Sequence, residues 1–148
     1  MDDEIRVPIN VDADLVIARA EGRALAQRLG LPRPDPTLIA TAISELARNV
    51  VMHVGHGEII MRPLYEDRRY GVLVVVSDEG QGIPDVEAAL SDGHASRGGL
   101  GLGLPGARRL MDEFEIESER GRGTVVRMKK WRVRDDLERF RERRGSRG

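Results

Sequence analysis

Ile5, Val7 and Ile9 alternate with polar or special residues, the period of a strand with one buried face. Asp12 or Asp14 is placed to cap a helix that runs to about Leu29, where Gly30 and Pro32 stop it. Arg33 to Pro36 reads as a turn, with Pro36 close to the first turn of the next helix. That helix, roughly Thr37 to His53, carries Ile39, Ile43, Ala47, Val50 and Val54 at three- and four-residue spacings, a buried stripe. Two strands follow, about Glu58 to Tyr65 and Tyr70 to Ser77, joined by the polar turn 66–69. The second holds Val72 to Val76 without alternation, the pattern of a central strand covered on both faces.

From Asp78 to Gly103 periodicity fades and glycine is frequent, with only a short helix predicted near Pro84 to Leu90. A segment of this kind inside a compact domain reads as a lid or a binding loop. A helix over Leu104 to Met111, a strand over Glu113 to Ser118, a turn at Gly121-Arg122-Gly123 and a last strand over Thr124 to Trp131 complete the core. Arg132 to Gly148 reads as a charged terminal helix, with seven arginines against four acids. The predicted organisation is a domain over residues 1–131 and a tail over 132–148. Its order calls for an α/β two-layer sandwich, with a mixed, mostly antiparallel sheet and helices on one face.

Composition narrows the function. The 148 residues suffice for one domain with a core, and charged residues at 33% describe a globular protein. A net charge of -1 offers no electrostatic case for nucleic acid or an acidic membrane. No cysteine is present, which excludes thiol chemistry and disulfides. The start lacks the blocks of a signal peptide and no apolar run reaches the ~20 residues of a membrane helix. A cytoplasmic protein is the expectation.

Three stretches carry chemistry. Glu45 and Asn49 are four apart, so on a helix they lie about 6 Å apart along the axis, pointing away from the apolar stripe. A carboxylate can take or orient a proton, and an amide oxygen is a neutral ligand for Mg²⁺. In isolation such a pair is also what a solvated helical face presents. Asp78 ends the apolar strand and opens Asp78-Glu79-Gly80-Gln81-Gly82, whose glycines let backbone approach a flat ligand. Its carboxylate can accept a hydrogen bond from an exocyclic amine such as that of adenine, although an ordinary Asp-Gly turn has the same composition. Gly98 to Leu104 alternates glycine at 99, 101 and 103 with leucine at 100, 102 and 104. Bare backbone N–H groups suit phosphate oxygens and the leucines suit anchoring, with a helix N-terminus following. The run lacks Gly-Lys-Ser/Thr and the strand-flanked Gly-x-Gly-x-x-Gly order, so it is neither a P-loop nor a dinucleotide fingerprint.

In this order the pieces resemble the GHKL, or Bergerat-type, ATP-binding fold shared by sensor histidine kinases, gyrase-type ATPases and their chaperone and mismatch-repair relatives. Glu45-x-x-x-Asn49 is similar to the box whose asparagine holds Mg²⁺ and whose glutamate acts on the attacking group. Asp78-x-Gly80-x-Gly82 is similar to the box that contacts the adenine amine. Gly99-x-Gly101-Leu102-Gly103-Leu104 resembles the glycine-rich lid over the phosphates, and Gly121-x-Gly123-Thr124 the last box, whose threonine lies near adenine. Arg97, just before the lid glycines, is a candidate for the γ-phosphate, and His53, one turn past Asn49, a further one. Arg48 could instead face a docking protein.

No phosphoacceptor hairpin accompanies the domain, and Leu110 to Phe114 after the lid helix is similar to the bacterial serine protein kinases that regulate sigma factors, RsbT-like stressosome switch kinases among them. That resemblance implies an ATP- and Mg²⁺-dependent serine/threonine protein kinase. It would phosphorylate a STAS-domain antagonist (RsbS/RsbR-like) and, once released, activate a PP2C-type phosphatase (RsbU-like). An ATP-bound anti-sigma factor that holds a sigma factor, or a subunit of a partner-coupled ATPase, are the alternatives. Neither nucleic acid nor membrane is an implied partner.

Overall fold

The first strand forms where the alternation stood. β1 (Ile5–Ile9) buries Val7 and Ile9 and leaves Arg6 and Pro8 outside. In the computed structural model, which describes residues 4–90 and 103–134, β1 is followed by α1 (Asp12–Arg28) and α2 (Asp35–His53). β2 (Gly57–Tyr65), β3 (Arg69–Asp78) and a one-turn α3 (Val86–Ala89) come next. α4 (Gly103–Leu110), β4 (Glu113–Glu119) and β5 (Gly123–Val133) complete the order.

The start of α1 departs from the expectation. Val11 is the N-cap residue, and Asp14 sits inside the first turn and reaches back. Its Oδ2 accepts from the N–H groups of Asn10 (2.8 Å) and Val11 (3.0 Å), and those two bonds hold its carboxyl below its ordinary 3.8. α2 begins at Asp35, two residues before the expected start, because a proline in the first helical turn needs no N–H partner.

The strands form one sheet of order β1-β2-β3-β5-β4. All four described pairings are antiparallel, so the expected mixed character is replaced by a fully antiparallel sheet among these residues. One face meets the helices: Ile59, Met61, Val72, Val74, Val76, Val126 and Met128 close against Ile39, Ile43, Leu46 and Val50 of α2 and Leu25 of α1. Each such aliphatic side chain contributes about 1.5–3 kcal/mol when fully buried.

The continuous apolar run in β3 has a different cause from the one its pattern suggested. Val72, Val74 and Val76 face the helices, and alternation puts Leu73 and Val75 on the other face. No described helix lies there. Leu73 and Val75 instead line a shallow groove of about 280 Å³ with Arg62, Leu64, Arg127, Lys129, Glu113 and Glu115. Long side chains lay their aliphatic stems over the apolar pair and keep their charges in water. Lys129–Glu113 (3.8 Å) and Arg127–Glu117 (3.4 Å) tie those charges across β5 and β4.

The last strand also runs further than expected. β5 continues through Arg132 to Val133, paired with Tyr70 and Arg69, because Arg69 stacks on Trp131 at 3.8 Å and extends the ladder. The rest of the expected terminal helix lies outside the described residues. No helix among the described residues is long and apolar enough to cross a membrane.

Candidate functional site

Asp78 is the last residue of the central strand, and its side chain organises the turn that follows. Its Oδ1 accepts the Gly80 N–H at 2.9 Å, an Asx-type bond that bends the backbone back on itself. Its Oδ2 accepts no hydrogen bond among the described residues and is open to a donor from a ligand.

The turn is fastened to the β4–β5 hairpin on the same side of the sheet. Asp78 stands opposite Thr124 in the ladder, and Ser118 stands opposite Thr124 on the other side. The Ser118 hydroxyl accepts the Ile83 N–H (2.6 Å) and lies 2.9 Å from the Thr124 hydroxyl. Gly121 donates its N–H to the Gln81 carbonyl at 2.9 Å. Two glycines make the approach possible. Gly82 (φ +84°) would set a Cβ 2.5 Å from the Glu119 carbonyl oxygen, and Gly123 (φ +106°) would drive one into the Asp78 carbonyl. Ser118 carries no signal in the sequence, because a serine among alternating glutamates says nothing of a bond 35 residues away.

The C-terminal end of α2 abuts this turn: a Cβ at Gly80 would come 2.8 Å from Val54, the C-cap residue of α2. Asn49 lies one turn before that end, half-buried, and its amide has no hydrogen-bond partner among the described residues. His53 is the last residue of the helix and exposed.

Glu45 differs from the expectation of an outward-facing carboxylate. It is 9% exposed, because α4 packs on α2 over it. Its Oε2 accepts the Gly103 N–H at 3.0 Å and its Oε1 accepts from Arg48 Nη1 at 3.2 Å. Gly103 (φ +61°) is the first residue of α4, whose leading N–H groups have no partners inside the helix. The carboxylate therefore stands at the end of the glycine-rich run. α2 thus meets Gly103 through Glu45 and the Asp78–Gly82 turn through its C-cap Val54, with Asn49 between the two along the helix, and Thr124 stands opposite Asp78 in the sheet. Arg97, Gly99, Leu100, Gly101 and Leu102 lie outside the described residues, as does His94.

A flat ligand could rest against Asp78 Oδ2 and the stapled glycine turn, with its anionic end toward Asn49 and the start of α4. Residues 9–130 match the family described as the histidine kinase-like ATPase domain, and the chain belongs to that family. Membership of an ATPase family implies that the chain uses ATP.

Among relatives, the chain is 43% identical over 131 residues to the serine/threonine-protein kinase RsbT of Bacillus subtilis, covering 88% of this chain and 98% of that one. It is 37% identical to the anti-sigma F factor of Caldanaerobacter subterraneus subsp. tengcongensis, over 66% of this chain and 74% of the other. A crystal structure of the RsbU and RsbW domains of a Mycobacterium tuberculosis protein superposes with a TM-score of 0.59 at 19% identity. That match covers 88% of this chain and 33% of the other, and it shows the shared fold.

Proposed function

We propose that this protein is an ATP-dependent serine/threonine protein kinase of the RsbT type, acting in a bacterial sigma-factor switch. The observation that carries the reading is the carboxylate of Glu45, held against the Gly103 N–H at the end of the glycine-rich run, where a triphosphate would lie. The 43% identity to a serine/threonine-protein kinase over nearly the full length of both chains supports the same reaction here.

In this reading adenine donates its amine to Asp78 Oδ2 and lies beside Thr124, with Gly80 and Gly82 giving room for the ring. The Gly99–Gly103 segment, with Leu100 and Leu102 as anchors and Arg97 at its start, covers the phosphates. A partner's serine hydroxyl attacks the γ-phosphorus, the bond from that phosphorus to the β-phosphate oxygen breaks, and ADP leaves. The serine proton passes to Glu45. Asn49 would hold Mg²⁺ through its amide oxygen, and the ion would supply charge neutralisation on the phosphates when bound. A single neutral protein ligand suits Mg²⁺, which keeps much of its water and takes phosphate oxygens as its other donors. Positioning and charge stabilisation are most of what such a transfer asks of a protein.

The partner in this reading is a STAS-domain protein, with a PP2C-type phosphatase or a sigma factor as the second contact, in the cytoplasm. The test is transfer of label from [γ-³²P]ATP to a panel of STAS-domain proteins from the same genome, with Glu45→Ala and Asn49→Ala in parallel. Label on a partner serine that depends on both residues supports the kinase and identifies its substrate. Tight ATP binding with no label on any partner would reject it. Similarity to an anti-sigma F factor favours a second reading, in which the ATP-bound domain grips a sigma factor and transfer is secondary. Co-purification of a sigma factor that depends on ATP, without label transfer, would then be the result.

A further inference from the structure

We propose that Arg48 is a positioning residue for Glu45, fixing the carboxylate so that it meets the lid end at Gly103; this rests on the kinase reading above. Arg48 stands three residues after Glu45 on the same side of α2, and its guanidinium donates to Oε1 at 3.2 Å. Gly103 donates to Oε2 at 3.0 Å. The two donors approach different oxygens from different elements, so the plane of the carboxylate is set by both.

Burial makes this fixing matter. The Glu45 side chain is 11% exposed and that of Arg48 41% exposed, so one end of the pair is enclosed while the other reaches solvent. An enclosed carboxylate deprived of its cationic donor rotates to expose the freed oxygen to water. That rotation loosens the Gly103 bond and takes the group out of the orientation from which it can take a proton. Gly103 is both the last glycine of the run and the first residue of α4. The bond to Glu45 therefore ties the proton acceptor to the place where the phosphate-covering segment joins the core. Arg48 holds the other oxygen from within α2, so one of the two anchors of the carboxylate lies on its own helix.

A surface-docking arginine at this position would behave differently, and the two are separable. Arg48→Gln and Arg48→Lys are compared with the wild type for transfer of label from [γ-³²P]ATP to the STAS-domain protein the wild type labels. ATP affinity and amide exchange at Gly103 and Leu104 are followed in the same variants. Arg48→Gln is expected to lower kcat roughly tenfold, a fraction of what a general base contributes, with KM for ATP and for the protein substrate within about twofold. Exchange at Gly103 rises in the same variant, and Arg48→Lys restores most of kcat. Unchanged kcat, a loss confined to KM for the protein substrate, or unchanged exchange at Gly103 would overturn the proposal. If the wild type labels no STAS-domain protein, the kinase reading fails on its own. Exchange at Gly103 in Arg48→Gln then decides the clamp, faster exchange supporting it and unchanged exchange rejecting it.

Discussion

At the scale of single residues, the site rests on a few polar side chains that each serve the backbone before they could serve a ligand. Asp78 bends its own turn with one oxygen, and the other has no partner among the described residues. Ser118 does more: its hydroxyl takes the Ile83 N–H and meets the Thr124 hydroxyl, joining the Asp78 turn to the last hairpin. Ser118→Ala leaves the Ile83 N–H without its acceptor in a half-buried place. The expected cost is about 1–2 kcal/mol in urea unfolding, within the usual penalty for orphaning such a group. ATP affinity should weaken with it, measured by calorimetry, because the turn loses its fastening. Equal affinity and equal stability in Ser118→Ala would show that the hydroxyl network is incidental to the site.

At the scale of elements, the helix starts and tight turns decide how the motifs are presented. Asp14 holds the first turn of α1 by accepting two backbone N–H groups, and its carboxyl is held below 3.8 by the Asn10 bond first and the Val11 bond second. A group with a depressed folded-state value contributes stability that is present above its unfolded value and lost as pH falls through the folded one. Asp14→Ala should therefore be less stable than the wild type at neutral pH, and the difference should vanish below the carboxylate range. Thermal melts from pH 7 to pH 2 check this; a gap that persists unchanged at pH 2 contradicts it. Gly123, at the start of β5, makes a comparable demand on the backbone. Its φ of +106° and its closeness to the Asp78 carbonyl predict that Gly123→Ala loses about 1–3 kcal/mol by denaturant titration and displaces the Asp78 turn.

At the scale of the whole molecule, periodicity located the elements and spacing located the motifs, whereas contacts between distant segments stayed hidden. The stripe Ile39, Ile43, Ala47 and Val50 is buried as its spacing predicts. The run Val72 to Val76 is equally apolar, yet two of its five residues face the groove rather than a second layer, because arginine and lysine stems from neighbouring strands supply the cover. No local pattern distinguishes those two ways of covering an apolar residue. Glu45 shows the same limit at the site. Its place on α2 was legible from helical spacing, but its burial depends on α4, which is 58 residues away and packs over it. The motifs were legible because each needs particular residue types in a short span. That the Asp78 turn is fastened to the last hairpin and lies against the C-cap of α2 belongs to the fold.

The central claim is that Glu45 takes the proton of an attacking hydroxyl while other groups hold the nucleotide. Glu45→Gln tests it most directly, since the amide oxygen can still accept the Gly103 N–H but the side chain cannot take a proton. The measurement is the single-turnover rate of γ-phosphate transfer to the serine-bearing partner, alongside the dissociation constant for ATP. The account predicts a rate lower by on the order of 100-fold with ATP affinity within about twofold of the wild type. An unchanged rate, or a loss of rate that only follows a loss of ATP binding, would contradict it.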